Sequence, residues 1–113
     1  MENFWNLNST SINLPYIYEN LIVLLTQISK GENHFSDYDF AQWCDNFTMI
    51  FEDDEVSKNT EHALLIARDI ECQWGLFLAN TYSIEELQKM DLTKVKLPLE
   101  WYERWLEELL EDV

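Results

Sequence analysis

The sequence predicts an all-α single domain: a bundle of four to five helices around a central apolar helix at about residues 60–79. Three observations predict it. With only two glycines and two prolines in 113 residues, the chain has few places for tight turns, so long elements with few connections are expected. Apolar residues are 47% of the chain and aromatic residues 14%, too many for a disordered acidic tail, and they recur at spacings of three and four. The most apolar continuous run is residues 60–80, TEHALLIARDIECQWGLFLAN. Wound at about 100° per residue, it gathers Ala63, Ile66, Ala67, Ile70, Trp74, Phe77 and Leu78 into about a third of the circumference. A chain of this length buries roughly two-thirds of its unfolded surface and folds as one domain, residues 1–113, without staples.

The elements follow in order. Residues 1–12 are polar with scattered apolar side chains and are expected to form an irregular arm. The first helix is expected at 15–30: Ile17, Leu21, Leu24, Leu25 and Ile28 share a face, Pro15 suits the first turn, and Gly31 suits the position after the end. Ser36 starts the second helix (37–51) as its N-cap, with Asp39 three residues on, and Phe35 and Phe40 are placed to form a hydrophobic staple. Its inner face is aromatic (Phe40, Trp43, Cys44, Phe47, Ile50, Phe51), with Asp37, Tyr38, Asp45 and Asn46 expected outside. A charged loop, EDDEVSKN, leads to the central helix, capped by Asn59 or Thr60. Ser83 and Glu86 make a capping box for a short helix at 83–90, with Tyr82 and Leu87 as a candidate staple. DLTKVKL (91–97) reads as an extended connector. Pro98 then opens the last helix (98–112), with Trp101, Tyr102, Trp105, Leu106, Leu109, Leu110 and Val113 on one side and a row of glutamates on the other.

The central helix has a second, narrower stripe of Leu65, Cys72 and Leu76, opposite the first and among Glu61, Arg68 and Asp69. A helix with two apolar stripes has to be covered from two directions. Four amphipathic companions are enough to do so, and the second stripe is therefore expected to be buried within the domain. Cys44 and Cys72 are both expected to be reduced core thiols.

Charge narrows the function. Twenty-two Asp and Glu against seven Lys and Arg give a formal net charge of −15. That field repels nucleic acid and anionic membranes and attracts basic proteins. The opening MENFWNLNSTS lacks the basic and apolar regions of a signal peptide, and no run reaches the roughly 18 apolar residues of a membrane span, so a cytoplasmic protein is expected. His34 and His62 lack the spacing of a metal motif, and EDDE at 52–55 lacks the alternation and central glycine of an EF-hand. With no nucleophile–base arrangement and too few glycines for a phosphate loop, no enzyme activity, cofactor, metal or small-molecule substrate is expected.

What remains is an acidic exterior on an aromatic-rich body. Three clusters are candidates for binding a basic protein: Asp37, Asp39 and Asp45 around the second helix; Glu52, Asp53, Asp54 and Glu55 in the loop; and Glu103 and Glu107 on the last helix. Two biological classes use such physics. One is an immunity protein that occludes the active site of a basic bacterial toxin, a nuclease foremost, because the toxin has to be basic to hold nucleic acid. The other is a nucleic-acid mimic that blocks a nucleic-acid-binding or defence enzyme. Residues 19–54, ENLIVLLTQISKGENHFSDYDFAQWCDNFTMIFEDD, carry a leucine-rich helix ending in KGE, a short loop and then F-A-x-x-W-x-x-x-F. In these features the segment resembles the opening helices of colicin D-type and contact-dependent-growth-inhibition immunity proteins. The resemblance covers the N-terminal half, and it implies a bundle of about four helices that inhibits a toxin by covering its nuclease site. No residue role carries over from it.

Overall fold

The computed structural model describes residues 8–51 and 55–111. Five helices follow one another: α1 (Tyr18–Lys30), α2 (Asp37–Phe51), α3 (Lys58–Thr81), α4 (Ile84–Lys89) and α5 (Leu99–Leu110), with a short 3-10 turn at Leu92–Lys94 before the last. The described residues contain no strand, and the all-α bundle is what the glycine-poor, helically periodic sequence leads to. α3 is its centre: it packs against α2 along much of its length and also against α5 and α1, while α1 lies along α5.

Local chemistry fixes most ends. Gly31 takes φ 70°, and the N–H groups of Gly31 and Glu32 close on the carbonyls of Ile28 and Gln27, so two carbonyls of the last turn of α1 are satisfied. Ser36 Oγ accepts the Asp39 N–H at 3.0 Å, and the rings of Phe35 and Phe40 stand 6.3 Å apart, forming the expected staple. The capping box of Ser83 and Glu86 is complete. Three boundaries differ from expectation. α1 begins at Tyr18 because the Pro15 carbonyl accepts from the Ile17 N–H and the Asn20 side chain, which turns the chain before the helix starts. Ser57, not Asn59 or Thr60, caps α3, accepting the Thr60 N–H. The 91–97 connector opens with an Asp91-capped turn before Val95 and Leu97 enter the core.

The principal arc of α3 is buried as its spacing requires: Ala63, Ile66, Ala67, Ile70 and Trp74 are all in the core, with Phe77 and Leu78 half-buried. They meet Leu21, Leu24, Leu25, Phe40, Trp43, Phe47, Tyr102 and Leu109 in one continuous cluster. Polar side chains lock the helices together. His62 Nε2 of α3 meets the Glu108 carbonyl at 2.6 Å, and the Tyr18 hydroxyl donates to the Leu109 carbonyl, so two orphan carbonyls at the end of α5 are covered by α3 and α1. Trp105 Nε1 donates to Asp69 at 2.8 Å.

The second stripe of α3 contradicts its expectation. Leu65 is 57% and Leu76 48% exposed, and Cys72 is also exposed, so only Cys44 is a core thiol. Coverage from two directions fails because α4 is a six-residue helix that buries nothing, while α1, α2 and α5 all serve the opposite side and the flanks. Leu110, expected on the inner face of α5, is 57% exposed, and Val113 lies outside the described residues.

Candidate protein-binding face

The acidic cluster of α2 is engaged in holding the fold. Asp37 is 5% exposed, not on the surface, and its Oδ2 accepts from the Leu97 N–H and the Tyr102 hydroxyl, each at 2.8 Å. As the first residue of α2, its charge also faces the positive end of the helix. Asp39 is half-buried and accepts from the N–H and hydroxyl of Ser11 and from the Ser36 hydroxyl. Asp45 accepts the Asn8 amide at 2.6 Å. Beside it Asn46, expected outside, is fully buried; it takes the Asn8 N–H on Oδ1 and donates to the Asn8 carbonyl and the Tyr16 hydroxyl. These groups strap residues 8–12 to α2, with Ile12 in the core. Asp37 is therefore withdrawn from the candidate surface, and Asp39 is committed to the arm.

Of the loop cluster, Glu52, Asp53 and Asp54 lie outside the described residues, and Glu55 is exposed. Glu103 and Glu107 are exposed on α5. The structure does not bring either of them into the surface formed by α2 and α3.

That surface is a seam of two adjoining depressions that share Arg68. One, of about 490 Å³, is walled by Phe51, Val56, Leu64 and Leu65, with Glu55 and Glu61 at its rim. The other, of about 380 Å³, lies between Asp45, Thr48 and Met49 of α2 and Arg68 and Glu71 of α3. Burial, and then the charge of Asp45, holds the Glu71 carboxyl above the ordinary glutamate range. The same two carboxylates, after burial itself, push the Cys44 thiol well above its ordinary value. The exposed stripe of Leu65, Cys72 and Leu76 runs beside this seam, and Met49 is 39% exposed. The result is an apolar face set among carboxylates on the central helix of the bundle. Sequence reasoning named Asp45 and Glu55 but not Glu61, Glu71 or Met49. The second stripe of α3 is the signal that leads to Glu61 and Glu71; Met49 lies on α2 and has no such signal.

Among the described residues, no group of three or more His, Cys, Asp or Glu side chains is placed to hold a metal ion, and no helix is long and apolar enough to cross a membrane. Compared with protein-family models, with curated proteins and with solved structures, the chain finds no match.

Proposed function

We propose that this protein is an immunity protein: a small acidic inhibitor that binds a basic bacterial toxin, a nuclease foremost, one to one and occludes its active site. The observation that carries the reading is an uncovered apolar stripe on the central helix of a chain whose net charge is −15. Solubility alone accounts for the charge. It does not account for half-exposed leucines on the central helix, whose place is the apolar centre of a protein interface ringed by steering charges. The sequence resemblance to immunity proteins over residues 19–54 supports the same reading. A nucleic-acid mimic rests on carboxylates in a phosphate-like array, whereas here half-exposed leucines lie among the carboxylates, so the immunity reading is preferred.

Co-expression with the product of the adjacent upstream gene tests this. A basic, toxic domain encoded there, with growth restored by this protein and a stoichiometric complex recovered, is the expected result. Absence of such a domain, or toxicity unrelieved by co-expression, overturns it. Competition with DNA or RNA for a different target selects the mimic instead.

A further inference from the structure

We propose that the α2–α3 seam, together with the outward stripe of α3, is the docking surface for an amphipathic helix of a basic partner. That helix lays apolar side chains on Leu65 and Leu76 and a lysine or arginine between Asp45 and Glu71. The inference deepens the proposed function and rests on it for the biological identity of the partner.

Shape supports a helix. Leu65, Cys72 and Leu76 fall within about 40° of one another around α3 and span about 16 Å along its axis, the reach of three helical turns. To one side of Cys72 and Leu76, a Cβ placed on Gly75 meets nothing within 4 Å. A helix-in-groove contact uses anchors at this periodicity, and the described residues offer no strand edge for a partner strand to extend.

Charge selects the occupant. The two depressions carry Asp45, Glu55, Glu61 and Glu71 against the single cation Arg68. Asp45 and Glu71 face one depression from different helices, and a cation placed between these like charges relieves their repulsion. A second copy of this chain fits poorly. Each copy carries a net charge of −15, and a two-fold interface would set the same carboxylates against each other.

The test titrates the isotope-labelled protein with a synthetic leucine–lysine amphipathic peptide of about 18 residues, five helical turns, and follows backbone amides by NMR. Perturbations confined to residues 45–51, 55–56 and 61–76 are expected. Leu65→Ser with Leu76→Ser, at exposed positions that leave the core intact, should weaken binding about tenfold or more. Glu71→Lys should weaken it similarly, while Glu103→Lys with Glu107→Lys should stay within about twofold of the parent. Perturbations centred on α5, α3 variants that bind like the parent, or amide shifts that depend on protein concentration alone overturn the docking surface. The co-expression result is separate. Neutralisation of a toxin combined with peptide binding on α5 keeps the function and removes this surface; peptide binding on α3 without a neighbouring toxin does the reverse.

Discussion

Asp37 and Tyr102 lie 65 residues apart in the chain and meet in the core, where the tyrosine hydroxyl donates to Asp37 Oδ2 at 2.8 Å. The same oxygen takes the Leu97 N–H, so a single carboxylate ties the start of α2 to the last connector and to α5. Asp37→Ala leaves two buried donors without an acceptor and is expected to cost about 2–4 kcal/mol. Tyr102→Phe removes one hydrogen bond and should cost about 1–2 kcal/mol. Urea unfolding followed by tryptophan fluorescence measures both.

The same pair sets an alkaline limit. Burial, then the Asp37 charge and the hydrogen bond to it, raises the Tyr102 hydroxyl far above its ordinary value of 10.0. Above pH 10 the unfolded chain releases this proton and the folded chain keeps it, so stability falls as pH rises beyond 10. Tyr102→Phe is expected to flatten that fall between pH 10 and 11.5, measured as unfolding midpoint against pH.

Glu71 gives a second pH dependence of the same sign. Its folded carboxyl is raised from 4.5 by burial and by Asp45, so the folded state holds the proton more tightly than the unfolded one. Below pH 4.5 both states are protonated, and the penalty develops as pH climbs past 4.5 through the raised value. Glu71→Gln should therefore raise the melting temperature slightly at pH 7 and leave it unchanged at pH 4. An equal shift at both pH values removes the electrostatic explanation.

The two thiols should differ sharply in reactivity. Cys72 is exposed, whereas Cys44 is buried and its thiol is held protonated by burial and by Glu71 and Asp45. An aromatic disulfide reagent is expected to titrate one thiol in the native protein within minutes and the second only on unfolding. Cys72→Ser should abolish the fast phase and Cys44→Ser leave it.

Local signals were legible in the sequence; long-range ones were not. Phe35, Ser36, Gly31 and Ser83 act within a few residues of themselves, and their staple, caps and box form as their spacing requires. Ser57 was missed because Asn59 and Thr60 are equally competent caps, and only the path of the loop selects among the three. Asp37 and Asn46 read as surface residues by periodicity, yet their partners, Leu97 and Tyr102 for one and Asn8 and Tyr16 for the other, come from segments that no helical wheel brings together. The second stripe of α3 was visible, but its burial depended on α4 acting as a cover. A six-residue helix with no buried side chain cannot do that.

Cap identity offers a simple check on α3. Ser57→Ala is expected to cost about 1 kcal/mol, against a few tenths for Asn59→Ala, because only Ser57 accepts the Thr60 N–H. Equal losses at the two positions would move the helix start.

Under the proposed immunity function the acidic exterior captures a basic protein, and the association rate with a basic toxin domain encoded beside this protein, followed as ionic strength is varied, tests that capture. Between about 0.05 and 0.5 M salt the rate should fall by about tenfold or more. Glu61→Lys with Glu71→Lys should slow association at low salt and flatten this dependence. A rate that does not change with salt, or a charge-reversed variant indistinguishable from the parent, rules out electrostatic capture by this surface.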